Sequence, residues 1–168
     1  MKTLVAGLGN PILGDDGVGW LIASKLLQVE KIPSDVTIEC LALGGISLME
    51  SLIGYDRAIL IDAIVTHQAP IGSVMFFKLE DLPNPSLGHT SSAHDTSLHD
   101  ALCIGRELSA HLPADITVVT VESQKVYDFS ETLTPAVAAA IPEAISIIKY
   151  LLLESYPVEP PKLDGQQN

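Results

Sequence analysis

The apolar run AILIDAIV, residues 58–65, constrains the fold more than any other segment of the sequence. Its length suits a strand, and apolar side chains at nearly every position are typical of a parallel strand that is covered on both faces. Such a strand needs helices above and below its sheet. We therefore expect an α/β domain in which Ala58–Val65 is a central strand.

Strand-length apolar runs alternate with helix-period segments along the rest of the chain, as in βαβ units. The predicted strands are Thr3–Leu8, Val36–Ala42, Ala58–Val65, Gly72–Leu79 and Ile116–Glu122. The predicted helices are Asp16–Gln28, Ser47–Ile53, Thr96–Leu112 and Thr134–Leu153. Since a parallel crossover takes a dozen or more residues, the short link before Gly72 indicates that this strand runs antiparallel to its predecessor.

These elements predict a single three-layer α/β domain with a mixed, mostly parallel, twisted five-stranded sheet and helices on both faces. The domain should span residues 1–154. Residues 155–168 are rich in proline and polar side chains, and we expect them to form a disordered tail. In sheets of this kind, ligands bind at the carboxyl ends of the parallel strands.

Charge and composition exclude several classes of partner. The 168-residue chain has a formal net charge of −12 and only 9 Lys+Arg, with no basic cluster that would bind nucleic acid or an anionic membrane. The N-terminal apolar run is short and broken by glycines, unlike a signal peptide, and no apolar stretch is expected to reach the ~20 residues of a membrane span. Cys40 and Cys103 form no CxxC motif and are expected to be buried, reduced thiols. We therefore expect a cytoplasmic protein.

The first candidate for a functional site is the glycine-rich turn after the first strand, GLGNPILGDDGVG, residues 7–19. Glycines allow the backbone to turn sharply and approach a ligand closely. Asp15 and Asp16 stand at the start of the following helix, where acids are favoured as caps and by the helix dipole. One cap needs only one acid, so the other is expected to point into the crevice.

The second candidate is Asp62, which interrupts the apolar run of the central strand. A carboxylate in such surroundings is costly unless it is paired, protonated or bound to a metal ion. Its place near the carboxyl end of the strand puts it at the predicted crevice.

A histidine is the third candidate. His94 lies in SSAHDTSLHDAL just before the predicted helix Thr96–Leu112, with Asp95 as the expected N-cap. His99 is the runner-up, and His89 also competes. Two carboxylates and one imidazole would make a site with open positions, suited to nickel, zinc or iron. A metal ion held there would polarise a carbonyl or lower the pKa of bound water.

Three segments taken together, GLGNPILGDDGVG, LIDAIV and SAHDTSLHDAL, resemble the hydrogenase maturation protease family. The resemblance covers roughly residues 2–152. It implies a phosphorylase/hydrolase-like fold and a peptidase that removes the C-terminal extension of a nickel–iron hydrogenase large-subunit precursor. The nickel is implied to be carried by the immature substrate, although other divalent metals would also suit the site, and the protein is expected to be monomeric.

The resemblance also implies roles for individual residues. The family's metal-binding acid falls on Asp16, its strand-end aspartate on Asp62 and its histidine on His94, so these three are expected to be both catalytic and metal-binding. The family's double-glycine turn falls on Gly44 and Gly45, which are expected to lie beside the substrate tail. The chain departs from the family pattern around that turn, because Leu43 and Ile46 stand where polar residues are usual.

Three rival functions remain open from the sequence. The first is a dinucleotide-binding module, with Gly7 and Gly9 in the phosphate loop and Glu39 as the ribose acid, although Ile12 stands where the third glycine belongs. The second is a peptidyl-tRNA hydrolase, whose sequence also begins GLGNP, but a strongly acidic chain would repel tRNA. The third is a non-catalytic maturation chaperone on the same fold.

Overall fold

A computed structural model describes residues 1–28, 32–81, 97–124, 126 and 128–153. The strands are β1 Thr3–Leu8, β2 Val36–Leu41, β3 Arg57–Ile64, β4 Val74–Lys78 and β5 Asp115–Glu122. The helices are α1 Val18–Leu26, α2 Gly45–Ser51, α3 Leu98–Glu107 and α4 Pro135–Leu153. Short 3-10 turns lie at Gly14–Gly17 and Leu79–Asp81.

The strands form one five-stranded sheet in the order β2-β1-β3-β5-β4. Strands β2, β1, β3 and β5 are parallel, and β4 pairs antiparallel with β5. The predicted fold class and the reversed direction of the fourth strand are therefore confirmed. The fourth strand does not pair with its predecessor β3, because β5 lies between them.

Helices cover the two faces of the sheet. One buried cluster joins α1 and α4 to one face, and a second joins α2 and α3 to the other. The chain moves from β1 to one edge to form β2 and then crosses back to form β3 on the other side of β1. The sheet therefore has its topological switch point between β1 and β3, where α/β proteins bind ligands.

The start of α3 differs from the prediction. The helix begins at Leu98, and its N-cap is Ser97, whose side chain accepts a hydrogen bond from the Asp100 N–H. Asp95 is therefore not the N-cap. A serine hydroxyl at an N-cap accepts the same backbone N–H hydrogen bond that an aspartate carboxylate would, so residue type alone does not distinguish Ser97 from Asp95.

Helix α4 corrects the expectation that no segment reaches membrane length. By length and composition alone, its 19 residues would suffice to span a bilayer. However, Val137, Ala140, Ile141, Ala144, Ile148 and Leu151 are buried. Glu143 and Lys149 occupy its exposed side. This is the pattern of a core helix with one packed face.

The two cysteines occupy different environments. Cys40 on β2 is half-buried, and burial raises the pKa of its thiol. Cys103 on α3 is exposed, so the expectation that both thiols are buried is wrong for Cys103. Apolar character alone does not decide which side of an amphipathic helix a cysteine occupies.

Candidate active site

The turn after β1 folds back so that Asp16 lies beside the end of that strand. The Asn10 N–H donates a hydrogen bond of 2.6 Å to Asp16 Oδ2. Gly9 makes this approach possible: its φ is +115°, and a Cβ there would lie 1.9 Å from the Asp16 carbonyl oxygen. Only glycine tolerates both conditions. The carboxylate of Asp16 is buried at the carboxyl end of β1.

Asp15 binds a different part of the chain from Asp16. Its Oδ1 accepts a hydrogen bond of 2.7 Å from the Thr134 N–H, and its Oδ2 accepts one of 3.0 Å from the Thr134 hydroxyl. The expectation that one of the two acids caps the first helix is wrong, because the N-cap of α1 is Gly17 and no side chain caps it. Asp15 instead binds Thr134 at the start of α4, and the predicted role of Asp16 in the crevice stays a prediction.

Asp62 is buried on β3, and its Oδ1 accepts a 2.8 Å hydrogen bond from the Ala63 N–H. Side chains alternate along a strand, and Ala58 and Leu60 belong to the cluster under α2 and α3. Asp62 therefore faces the α2/α3 side of the sheet.

Asp62 on β3 and Asp16 in the turn after β1 lie beside the ends of neighbouring strands. Gly7 of β1 stands opposite Ile61 of β3, one residue before Asp62. The chain then turns and returns through Asp16, whose 3-10 turn contacts β3. Both acids thus lie at the carboxyl edge, at the switch point between β1 and β3.

Sequence reasoning missed a further buried carboxylate at the same edge, in addition to Asp15, Asp16 and Asp62. Glu122 ends β5 and is fully buried. Its Oε1 accepts hydrogen bonds from the N–H groups of Thr66 and His67, at 2.8 and 2.9 Å, and its Oε2 accepts one from the Thr66 hydroxyl at 2.7 Å. These bonds hold the turn after β3, where His67 has a positive φ of 58°. The available signal was similar to that for Asp62, an acid at or near the carboxyl end of an apolar strand.

The histidine of the predicted triad lies outside the described residues, as do His89 and Asp95. Within the described ranges, no group of three or more His, Cys, Asp or Glu side chains is arranged to hold a metal ion. The triad of Asp16, Asp62 and His94 therefore stays a prediction. His99 is exposed in the first turn of α3, 3.8 Å from the Asp100 carboxylate.

The double-glycine turn leads directly into α2. Gly44 is its N-cap, and Gly45 starts the helix with a positive φ of 52°. The flanking Leu43 and Ile46 are exposed at the carboxyl edge, beyond the end of β2. The predicted contact of Gly44 and Gly45 with a substrate tail stays a prediction.

Comparison with known proteins identifies the family. The family model described as hydrogenase maturation protease matches residues 22–150. This chain belongs to the hydrogenase maturation protease family. As a maturation protease it is a peptidase, and family membership favours this activity over the dinucleotide-binding and peptidyl-tRNA hydrolase alternatives.

Individual relatives agree over almost the whole length of this maturation protease. The hydrogenase 2 maturation protease of Escherichia coli is 30% identical over 155 residues, covering 92% of this chain and 93% of the relative. The solved structure of the hydrogenase maturating endopeptidase HybD from E. coli is 31% identical, with a TM-score of 0.75 over 92% of this chain and 94% of that one. A solution structure of an endopeptidase from E. coli is 29% identical, with a TM-score of 0.76 over 98% and 100%.

Proposed function

We propose that this maturation protease removes the C-terminal extension from a nickel-loaded precursor of a [NiFe]-hydrogenase large subunit. The observation that carries the proposal is the pair of buried carboxylates, Asp16 and Asp62, at the carboxyl ends of adjacent parallel strands. The names of the relatives state hydrogenase maturation and endopeptidase activity. The nickel and the C-terminal extension follow from the sequence resemblance.

The donor set suits nickel that arrives with the precursor. Carboxylate oxygens and an imidazole nitrogen bind divalent metals of this kind, and three protein donors leave positions for ligands from the substrate. Backbone N–H groups from Asn10 and Ala63 orient the carboxylates of Asp16 and Asp62. Carboxylates oriented in this way lose little conformational entropy when they bind a cation. They are therefore suited to bind a precursor that carries its metal in preference to one that does not.

The position of α3 supports His94 as the third member of the site. Leu98, the first residue of α3, belongs to the same buried cluster as Leu8 at the end of β1 and Leu60, two residues before Asp62. His94 precedes Leu98 by four residues, which span at most about 14 Å when extended. Because that cluster lies on the side of the sheet that Asp62 faces, α3 begins on the same side, and we take His94 as the third member of the site on this basis and on the family resemblance.

The chemistry proposed is hydrolysis of one peptide bond in the precursor tail. Nickel in the substrate would polarise the scissile carbonyl or its attacking water. The residues of the chain would hold the metal centre with Asp16, Asp62 and His94, and one of the two carboxylates would accept the proton of the water. Gly44 and Gly45 would lie along the tail. We place this reaction in the cytoplasm, with the protease acting as a monomer.

The decisive experiment is a mass measurement on the precursor. Wild-type protein incubated with nickel-loaded precursor should shorten it by one defined C-terminal fragment, and metal-free precursor should stay intact. Asp16→Asn, Asp62→Asn and His94→Ala should each abolish the fragment while the circular dichroism spectrum is unchanged. His99→Ala is the matched histidine control and should retain activity.

Each outcome decides between activities. Full processing by any one of the three variants would remove that residue from the site. A wild-type protein that binds the nickel-loaded precursor without shortening it would instead be a non-catalytic chaperone.

A further inference from the structure

Strand β2 lies at one edge of the sheet, next to β1. It keeps an unbroken parallel register with β1 over all six of its residues, and it contains no proline and no lysine or arginine. Bulges, prolines and lysines are the features with which proteins protect a sheet edge from further pairing. The other edge strand, β4, is shorter and ends in Lys78. The β2 edge is therefore the one suited to accept an added strand.

The backbone groups of β2 alternate between β1 and the outer side of the sheet. The Gly9 N–H donates to the Leu41 carbonyl at 3.2 Å, so the carbonyl of Leu41 points towards β1. Because backbone groups alternate in direction along a strand, those of Ile38 and Cys40 point away from β1. No strand within the described part of the chain pairs with them.

The side chains of β2 on the α1 side form an incomplete apolar surface. Val36, Ile38 and Cys40 pack against the cluster under α1 and α4 but are only half-buried. Trp20 on α1 is also half-buried, and its carbonyl accepts the weak hydrogen bond of the Cys40 thiol at 3.5 Å. A strand added to β2 would cover this row if its side chains on the α1 side were apolar.

The carboxyl end of β2 leads to the candidate site. Gly44 is still extended, with φ −140° and ψ 176°, and Gly45 then begins α2. Strands in a sheet lie about 4.8 Å apart, so a strand added to β2 would lie roughly 10 Å from β1. Four or five extended residues span that distance. A polypeptide held at Asp16 and Asp62 can therefore pass Gly44 and reach the β2 edge.

We propose that β2 binds the C-terminal extension of the precursor as an added antiparallel strand. The inference rests on the proposed function, because it takes the precursor as the partner. The extension leaves the scissile bond at the carboxyl edge and runs towards the amino edge, opposite to the direction of β2. About five residues beyond the bond, it pairs with the outward groups of Ile38 and Cys40. Its alternate side chains that face α1 are apolar.

The geometry of the sheet favours this occupant over others. The β4 edge is separated from β3 by β5, and β4 ends at the amino edge, away from Asp16 and Asp62. A second copy of the chain paired through β2 would place its own residues 33–35 beside Gly44, across the path of the tail, and two chains of net charge −12 would repel each other. Helix α4 ends beside the start of β3, and β1 lies between β3 and β2.

Amide exchange in 15N-labelled wild-type protein tests the pairing directly. The probe is a capped heptapeptide in which three valines alternate with serine and threonine. With the peptide in excess, exchange of the Ile38 and Cys40 amides should slow about tenfold, because each gains a hydrogen bond. The Glu39 N–H points towards β1, so its exchange should change little. The same peptide with proline in place of the central valine should protect neither amide.

N-methylated peptides provide a matched control within the probe. In an antiparallel pair, a residue directly opposite Ile38 has its side chain on the same face and its N–H directed at β2. The valines that cover the α1 side are therefore the donors to β2. N-methylation of the central valine should abolish the protection of Ile38 and Cys40, and N-methylation of an adjacent threonine should not.

A protein variant tests the same edge during processing. Ile38→Pro removes an outward N–H and leaves the ladder with β1 intact. It should raise the KM for nickel-loaded precursor about tenfold with little change in kcat, equivalent to about 1.4 kcal/mol. Val74→Pro is the control: Val74 is half-buried, and its N–H points outward from β4, since the Glu122 N–H donates to the carbonyl of the preceding Ser73. Its KM should equal that of the wild type.

Several outcomes would overturn the added strand. Equal protection by the valine-methylated and threonine-methylated peptides, or equal KM values for Ile38→Pro and Val74→Pro, would show that the β2 backbone binds no peptide. If Ile38→Pro does not fold, the peptide series decides alone. Concentration-dependent dimerisation that protects Ile38 and Cys40 without peptide would assign the edge to a second copy of the chain. Protection in the free monomer that is lost on deletion of residues 155–168 would assign it to the chain's own C-terminal segment.

Failure of the proposed function gives a different result. Wild-type protein that leaves nickel-loaded precursor uncut, while the peptide still protects Ile38 and Cys40, would overturn the peptidase proposal and leave β2 as a peptide-binding edge. Normal cleavage without peptide protection would overturn the added strand and leave the peptidase proposal intact.

Discussion

The carboxylate of Asp15 binds both the N–H and the hydroxyl of Thr134, a residue 119 positions further along the chain. Asp15 is fully buried. The Gln124 N–H also donates a long hydrogen bond of 3.5 Å to Asp15 Oδ2. This contact joins the glycine-rich turn to the start of α4. The acid next to Asp16 therefore fixes the turn on which Asp16 is carried.

Replacement of Asp15 by alanine should destabilise the fold by about 2–4 kcal/mol, because buried N–H and hydroxyl donors lose a charged acceptor. Asp15→Asn keeps one acceptor oxygen and should cost about half as much. Urea denaturation at about 25 °C measures both. Exposed Asp35→Asn is the control and should stay within about 0.5 kcal/mol of wild type. An alanine variant as stable as that control would show that the contact is not structural.

Glu122→Gln should lower the free energy of unfolding by about 1–3 kcal/mol. The amide NH2 would face one of the donors of Thr66 or His67, so at least one buried hydrogen bond would be lost. Guanidinium denaturation is the measurement, and exposed Glu143→Gln on α4 is the matched control. Similar losses in the two variants would contradict a structural role for Glu122.

Gly19→Ala separates helix propensity from packing. Propensity alone would stabilise α1 by about 1 kcal/mol. A Cβ at Gly19, however, would lie 2.2 Å from the Ile61 carbonyl oxygen and 2.5 Å from that of Leu8. Since backbone atoms cannot move aside cheaply, we expect a net loss of about 2–4 kcal/mol in thermal denaturation.

Gly54→Ala is the control for Gly19→Ala. A Cβ added at Gly54 would meet no heavy atom within 4 Å, but the residue has a φ of +89°. Only backbone strain of about 1–2 kcal/mol should therefore appear. A Gly19→Ala protein more stable than wild type would show that α1 can move away from the two strands.

Asp56 should make stability depend on pH at the amino edge. The Lys2 N–H, and then the His111 side chain, hold the pKa of Asp56 below its ordinary value of 3.8. A carboxyl group whose pKa is lower in the folded state stabilises the fold at pH values above its unfolded-state pKa. This stabilisation is lost as the pH falls through the folded-state pKa. Asp56→Asn should therefore lower Tm at pH 7, and its difference from wild type should shrink as the pH falls below about 4. Exposed Asp81→Asn should show no such convergence. A constant difference between about pH 7 and pH 3 would contradict the assignment.

The two thiols should react at different rates. Cys40 Sγ donates a weak hydrogen bond to the Trp20 carbonyl, and burial raises its thiol pKa, so little thiolate forms at about pH 8. Cys103 is exposed. Iodoacetamide should label Cys103 about tenfold faster. Peptide mass mapping measures the two rates, and the Cys103→Ser protein should be labelled slowly and at Cys40 alone. Faster labelling of Cys40 would contradict the described packing.

Sequence patterns predicted the strands and the places of Asp16 and Asp62, because both rest on local signals. Apolar periodicity reports which side chains face a core, and a carboxylate inside the run of β3 is conspicuous for its desolvation cost. His94 had no comparable local signal and stays a prediction carried by the family resemblance. Glu122 could have been found by the reasoning applied to Asp62, since Glu122 ends an apolar parallel strand and Asp62 lies two residues before the end of another.

By itself, the sequence determined the α/β class, the direction of β4 and the candidate acids, since spacing and hydrophobic period act over a few residues. Only the tertiary structure decided that Asp15 serves Thr134 while Asp16 stays at the switch point, that Glu122 holds the turn after β3, and that β2 lies at the edge of the sheet next to β1. The hydrogen bonds of Asp15 and Glu122 join residues from 55 to 119 positions apart. Hydrogen-bond partners at such separations are chosen by how the whole chain packs, which no local pattern encodes.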